Sequence, residues 1–245
     1  MPNRMQEKFK TYNDVFDLHA ERILFKLISQ GHFDGLIGPV SIGKEANIFV
    51  AQKGDKKVIV KIYRLETCDF NKMYDYIRYD TRYVGLKRKR RKIIFTWCQR
   101  EFGNLMKARE AEIKVPMPIA FKDNILVMEF IGDENAAPKV KDLRPKDPDK
   151  FYKLMVEDMK KLHKAGLVHG DLSEFNILNY KGKPCMIDMS QASPLDSSNA
   201  EDLLNRDIKN IVRFFSKLGV KADEESLKRE ILGSRKNDDV SRKKS

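Results

Sequence analysis

Three oxygen-bearing side chains stand at a spacing suited to phosphoryl transfer: Asp171 and Asn176, five positions apart in HGDLSEFN, and Asp188 in MIDMS, seventeen positions after the first. A nucleoside triphosphate brings about four negative charges held by Mg²⁺, so its enzyme needs hard oxygen ligands for metal and a separate carboxylate aimed at the attacking hydroxyl. Asp171 would accept or orient the nucleophile's proton, and Asn176 would turn its amide oxygen to the metal. Asp188 follows the apolar pair Met186 and Ile187, as a strand end should, and would chelate metal between the phosphates. Taken singly, either Asp is more often a cap or turn residue; it is the ordered set that points to this chemistry. His169 is expected to pack and hydrogen-bond beneath this loop rather than act as a base.

A second group lies upstream. Lys61 ends VIVK inside an apolar strand, where an unpaired ammonium would suffer a large desolvation penalty. Glu101 can supply its partner: it lies four residues after Trp97 and four before Leu105, on the buried face of a helix. A strand Lys bridged to a helix Glu leaves the ammonium able to reach two phosphates; the plain alternative is two ordinary surface charges. In SIGKEAN, Gly43 allows close backbone approach to phosphate oxygens, with Ser41 and Lys44 as added donors. One glycine is weaker than GxGxxG, and an ordinary turn is the competing reading.

The elements that must hold these residues follow from periodicity. Val15, Leu18, Arg22, Phe25 and Ile28 recur at helical spacing, with Asp14 as N-cap and Gly31 as stop. Leu36 to Ile42, Ala46 to Gln52 and Lys57 to Arg64 read as antiparallel strands around a Gly54-containing turn, a β-rich first lobe. Residues 65 to 92 show no sustained apolar period and end in KRKRRK, which predicts a mobile basic insertion. A helix over Ile93 to Arg109 precedes Pro116 and Pro118 and two more strands, near Ile119 to Phe121 and Ile125 to Phe130. A polar connection leads to a helix capped at Asp147, a hairpin about Lys181-Gly182 and a last long helix through Leu203, Ile208 and Phe215. Residues after about 233 read as a frayed basic tail.

At 245 residues the chain can bury a sizeable core, and two lobes sharing a cleft are expected. No apolar run approaches the ~18 residues of a spanning helix, and MPNRMQEKFK lacks a signal peptide's apolar core, so a cytoplasmic location with no membrane contact is expected. Cys68, Cys98 and Cys185 form no CxxC pair and read as reduced thiols. A net charge of +12 favours polyanionic partners such as RNA.

Together, SIGKEANIF, VIVKIYR, HGDLSEFNIL and IDMSQA resemble the RIO family of atypical serine kinases, from about Asp14 to Val220. The lack of a preceding winged-helix segment makes the chain similar to the type-one branch, in a compact archaeal-like form. The resemblance implies an α+β, reduced two-lobed kinase fold, with an antiparallel N-lobe sheet plus helices and a mainly helical C-lobe. It places a helical extension at 1–35, an N-lobe at 36–131, a C-lobe at 132–232 and a tail at 233–245. It also implies ATP with Mg²⁺, Mn²⁺ being an admissible substitute, autophosphorylation, ATPase activity, and a role in maturation of the small ribosomal subunit with its rRNA.

Carried over by position, Lys61 would contact ATP, and Glu129 and Ile131 in MEFIG would offer hinge backbone groups to adenine. Asp171 would be the catalytic acceptor, and Asn176 with Asp188 would bind metal. The residue matching Asp188 takes up phosphate in the family as an aspartyl intermediate. Ser41-Ile42 stand where the family usually shows Ser-Thr. Gly170 replaces the Arg of HRD, and neither DFG nor APE follows Asp188, which leaves little material for a peptide-docking subdomain. Two other classes compete: a small-molecule phosphotransferase of the aminoglycoside type, which shares HGD and a downstream Asn, and a non-catalytic RNA-binding module built on KRKRRK.

Overall fold

The structure is a computed structural model that describes residues 16–242, with side chains to residue 233. The expected cap Asp14, Val15 and tail residues 243–245 lie outside the described residues. The chain divides into two compact units. Of the described residues, the first holds those up to Tyr74, with Lys87–Phe102 and Pro118–Phe130; the second holds Asp75–Leu86, Gly103–Met117 and those from Ile131 onward.

The first unit opens with helix α1, Leu18–Ser29, whose N-cap is Asp17: its carboxylate accepts the Ala20 N–H at 2.7 Å. The helix carries two apolar stripes, and the one that packs is Ala20, Ile23, Leu24 and Leu27 rather than the predicted face; Leu18 is 74% exposed and Phe25 40%. Those four residues meet the sheet, and Ile28 of the predicted stripe packs partly buried against the same core, while Leu18 and Phe25 face water.

That sheet is antiparallel, in the order β1-β2-β3-β5-β4, from β1 (Gly35–Ile42), β2 (Ala46–Lys53), β3 (Lys56–Tyr63), β4 (Pro118–Lys122) and β5 (Ile125–Glu129). Alternation along β3 sends Val58, Val60 and Ile62 into the core that α1 covers, with Phe49, Ile125 and Val127. Lys61 and Tyr63 therefore leave from the other face.

Residues 65 to 92, expected to carry no regular period, contain α2 (Phe70–Ile77) and a 3₁₀ turn at Thr81–Tyr83 capped by Asp80. Only Met73 and Ile77 of α2 are buried apolar anchors, too few to reveal a period. Helix α3, Arg90–Glu110, starts before the predicted Ile93 and contributes to both units.

In the second unit, α4 (Pro148–Lys164) is capped by Asp147 as expected. Strand β6 (Leu167–Val168) pairs with β9 (Ser193–Pro194), and the hairpin of β7 (Ile177–Tyr180) and β8 (Lys183–Met186) turns at Lys181-Gly182. Helix α5, Ala200–Ser216, is not the last: α6, Glu224–Arg242, follows it over much of the expected tail. Its many charged residues conceal α6 in the sequence, although Leu227 and Ile231 are buried. Among the described residues no helix is long and apolar enough to cross a membrane.

Candidate active site

In the first unit, two positions two apart on one strand face present a cation and a phenol to a single carboxylate. Lys61 Nζ lies 2.8 Å from Glu101 Oε1, and the Tyr63 hydroxyl donates to Glu101 Oε2. The pair is dry, its side chains 5% and 1% exposed, so the geometry must offset most of two desolvation penalties. The tyrosine does so by occupying the second carboxylate oxygen, a role for Tyr63 that sequence reasoning missed although VIVKIYR displays the i, i+2 spacing. Cys98, one turn before Glu101, is fully buried; burial and then the neighbouring carboxylate push its thiol well up, leaving it inert.

Strand register relates the glycine-containing turn to this pair. Ser41 stands opposite Ile48, and Ile48 opposite Lys61, so the three occupy one row across β1, β2 and β3. Gly43 closes the turn with its N–H on Ala46 O at 3.2 Å, and a Cβ there would sit 3.0 Å from that oxygen, which explains the glycine. The Lys44 side chain is exposed, while its carbonyl accepts the Thr67 hydroxyl at 2.7 Å. Glu129 pairs with Val58 at the end of β5.

In the second unit the HGDLSEFN loop is tied to itself and to its neighbours. The Asn176 amide donates to Asp171 O at 2.8 Å and to Asp171 Oδ2 at 3.1 Å, so its NH₂ end faces Asp171 and its Oδ1 is the end left for another partner. Ile187 N–H donates to Asn176 O at 3.0 Å, so Asp188 follows directly beside Asn176. Asp188 itself is left-handed, φ 61° and ψ 64°, and its Oδ1 accepts the Ser190 hydroxyl at 2.6 Å. A non-glycine residue held there costs on the order of 1–3 kcal/mol, which surrounding bonds must impose. Ile131 begins the longest stretch of this unit; its carbonyl accepts the Ala137 N–H at 2.8 Å.

His169 is 1% exposed, accepts the Asp171 N–H on Nδ1 at 3.3 Å and approaches Ile187 O with Nε2 at 3.2 Å. That arrangement places its proton on Nε2. Burial holds the imidazole down at about 4, so the ring is neutral and structural near pH 7.

The residue most clearly missed is Asp207. It is 2% exposed within α5, and its two oxygens accept the N–H groups of Gly170 and Leu172, each at 2.8 Å, on either side of Asp171. Gly170 is obligatory beside it, because φ is +77° and a Cβ would lie 2.8 Å from Gln191 O. Desolvation raises the Asp207 carboxyl to about 7 against the lowering effect of the two N–H donors. An Asp among Leu203, Leu204, Ile208 and Ile211 was a visible breach of an apolar stripe, the one signal that could have found it.

The donors that could face a metal are the Asp188 carboxylate and the Asn176 amide oxygen. Among the described residues no three His, Cys, Asp or Glu side chains cluster as a self-sufficient metal site. Two hard oxygen donors fit a Mg²⁺ whose remaining coordination comes from phosphate and water.

Residues 47–227 match the family described as the RIO domain. A RIO-type serine/threonine-protein kinase Rio1 of Haloferax volcanii is 40% identical over 95% of this chain and 81% of its own. Its counterpart in Methanocaldococcus jannaschii is 43% identical over 93% of this chain and 79% of its own. A crystal structure of the Rio2 kinase from Chaetomium thermophilum, as an ADP/Mg²⁺-phosphoaspartate complex, has a TM-score of 0.65 and 24% identity, covering 84% of this chain and 64% of that one; it shows the fold. The two-unit α+β architecture and relatives aligned along nearly all of its length agree: the chain belongs to the RIO family of serine/threonine protein kinases.

Proposed function

We propose that this kinase is a cytoplasmic, ATP- and Mg²⁺-dependent enzyme that autophosphorylates, hydrolyses ATP through an aspartyl phosphate, and acts in maturation of the small ribosomal subunit. The observation that carries the chemistry is the Asn176 amide locked to the carbonyl and the carboxylate of Asp171, at 2.8 and 3.1 Å, which commits Asn176 Oδ1 and the Asp171 carboxylate to different jobs. Lys61, held by Glu101, engages the triphosphate, and Gly43 with the exposed Ser41 and Lys44 of the β1–β2 turn covers it. Backbone groups of Glu129 and Ile131 receive the adenine. Asn176 and Asp188 hold Mg²⁺, which when bound neutralises charge on the phosphates.

Asp171 accepts the proton of an attacking serine hydroxyl or water. In the aspartyl route, an Asp188 carboxylate oxygen bonds to the γ-phosphorus as the bond to the β–γ bridging oxygen breaks and ADP leaves with the electron pair. Water then attacks phosphorus, gives its proton to Asp171, and releases inorganic phosphate. The Rio2 relative, whose crystal structure is an ADP/Mg²⁺-phosphoaspartate complex, supports this reading by analogy.

Single-turnover reactions with γ-radiolabelled ATP test it. Acid-stable label on serine, label released by hydroxylamine, or both, are expected in the wild type, with Asp188→Asn losing the labile fraction and Asp171→Asn slowing all turnover. Absence of both labels and of ATP hydrolysis would sink the proposal.

Ribosomal RNA is the polyanion that suits the charge. Lys72, Lys87, Lys89, Arg91 and Lys92 are exposed and have no ion-pair partner among the described residues.

A further inference from the structure

The second half of the 65–92 segment reaches the loop that carries Asp188 through an unbroken chain of side-chain hydrogen bonds, all within the second unit. It begins at Asp80, whose side chain is 0% exposed and forms a two-pronged bond to the Arg82 guanidinium: Nε to Oδ1 at 2.8 Å and the terminal nitrogen to Oδ2 at 2.6 Å. The other Arg82 terminal nitrogen donates to Asn104 Oδ1 at 2.9 Å. Asn104, 0% exposed, directs both amide hydrogens to the loop, one to Met189 O and one to Ala192 O, each at 2.8 Å.

These two carbonyls bracket the 3₁₀ turn Met189–Gln191, and Asp188 is the N-cap of that turn. With the carbonyls fixed, the turn cannot unwind, and the left-handed Asp188 backbone has no relaxed alternative. Arg82 decides which way the Asn104 amide points: with its oxygen claimed by a guanidinium that is itself held by a buried carboxylate, the NH₂ must face the loop. Two side links run in parallel, Thr81 Oγ1 to Asp196 Oδ2 at 3.1 Å, and Arg206, which donates to both Tyr76 OH at 3.0 Å and Gln191 Oε1 at 3.3 Å.

We infer that Arg82 and Asn104 are positioning residues for Asp188, setting the carboxylate toward metal and phosphate from a segment that touches neither. This inference rests on the proposed role of Asp188 as a metal ligand. It also gives the 65–92 segment a task besides attracting polyanions, because displacement of the 3₁₀ turn at Thr81–Tyr83 would release the amide that holds the loop.

The test compares Arg82→Ala, Arg82→Lys and Asn104→Ala with Asp188→Asn in the full chain. Hydrogen exchange at the amides of residues 189–192 and Mn²⁺ affinity of the ADP complex by electron paramagnetic resonance are read alongside the Mg²⁺ dependence of ATP turnover. Outer-shell partners of this kind typically change metal affinity or activity by about 10- to 100-fold. Arg82→Ala and Asn104→Ala should weaken Mn²⁺ binding by about tenfold or more and speed exchange at 189–192, while the Gly170 and Leu172 amides, held by Asp207, keep their protection. Arg82→Lys, which keeps the charge and loses the fork, should fall between. Should Asn104→Ala not fold, the two Arg82 variants at their partly exposed site decide.

If both Arg82 variants lower the melting temperature without altering Mn²⁺ affinity or local exchange, the relay is merely structural and the inference is overturned. If Asp188→Asn itself keeps wild-type Mn²⁺ affinity, the fault lies instead with the metal-ligand reading on which it rests.

Discussion

Lys61 and Glu101 pose an energetic question at the level of two side chains. A dry ion pair is weak evidence for stability, because replacing both partners by apolar groups of similar volume is often neutral or better. Removing one partner differs, since it strands the other charge and the Tyr63 hydroxyl. Glu101→Leu should therefore cost about 3–5 kcal/mol in denaturant unfolding, and Lys61→Met with Glu101→Leu together should recover most of that loss. Neither variant should retain more than about a hundredth of wild-type turnover, in the range found when one charge-stabilising donor is removed. Asp207 gives a pH signature. Its folded-state value near 7 lies above the ordinary 3.8, so the folded protein keeps a proton there that the unfolded chain has released. Stability attributable to this group is full below about pH 4 and is lost as pH rises through 7, by roughly 4 kcal/mol at about 1.4 per unit. Thermal melts of wild type and Asp207→Asn from pH 4 to 8 should differ by this trend; parallel curves would refute it.

At the scale of elements, α3 begins against its own dipole. Arg90, Arg91 and Lys92 occupy its first turn with no acidic residue, where the helix end already carries partial positive charge. Arg90 is compensated, its guanidinium reaching the carbonyls of Leu65, Glu66 and Cys68 and stacking 4.3 Å from the Phe70 ring centroid. Arg91 and Lys92 are not, and local stability has been traded for a field that attracts anions. Arg91→Glu and Lys92→Glu should each stabilise the protein by about 0.3–1 kcal/mol at low salt and weaken the RNA binding proposed for this surface. Urea melts and filter binding on the same variants check both signs, and loss of stability with unchanged RNA affinity would contradict the account. The five-stranded sheet and helices α1, α3, α4 and α5 were readable from local pattern, whereas α2 and α6 were not, having too few buried apolar anchors; nor was the buried face of α1, since two stripes competed and packing against β2, β3 and β5 chose between them.

For the molecule as a whole, +12 spread over 245 residues makes association with polyanions a property of ionic strength. If the five unpaired cations each neutralise one phosphate, the logarithm of the RNA binding constant should fall with the logarithm of salt at a slope of roughly −4.5 for a duplex and about −3.5 for single strands. A slope near zero in titrations from low to moderate salt would remove RNA as the partner of this surface. The legible part of the fold lay in short-range chemistry: the alternation of β3, the cap Asp147 and the stop Gly31, the glycine turns, and a buried lysine that demanded an acid one helix away. Each of these is enforced within a few residues by sterics or desolvation, so the chain states it locally. The groups that hold the HGDLSEFN loop and the turn after Asp188 were not stated that way. Asp207 reaches back 35 and 37 residues to its two amides, and Asn104 reaches forward 85 and 88 to its two carbonyls. A polar side chain on a buried stripe announces that it has a partner, since an unsatisfied one would cost about 1–3 kcal/mol, but backbone amides and carbonyls carry no residue identity by which the partner could be named. That choice belongs to the packing of distant segments.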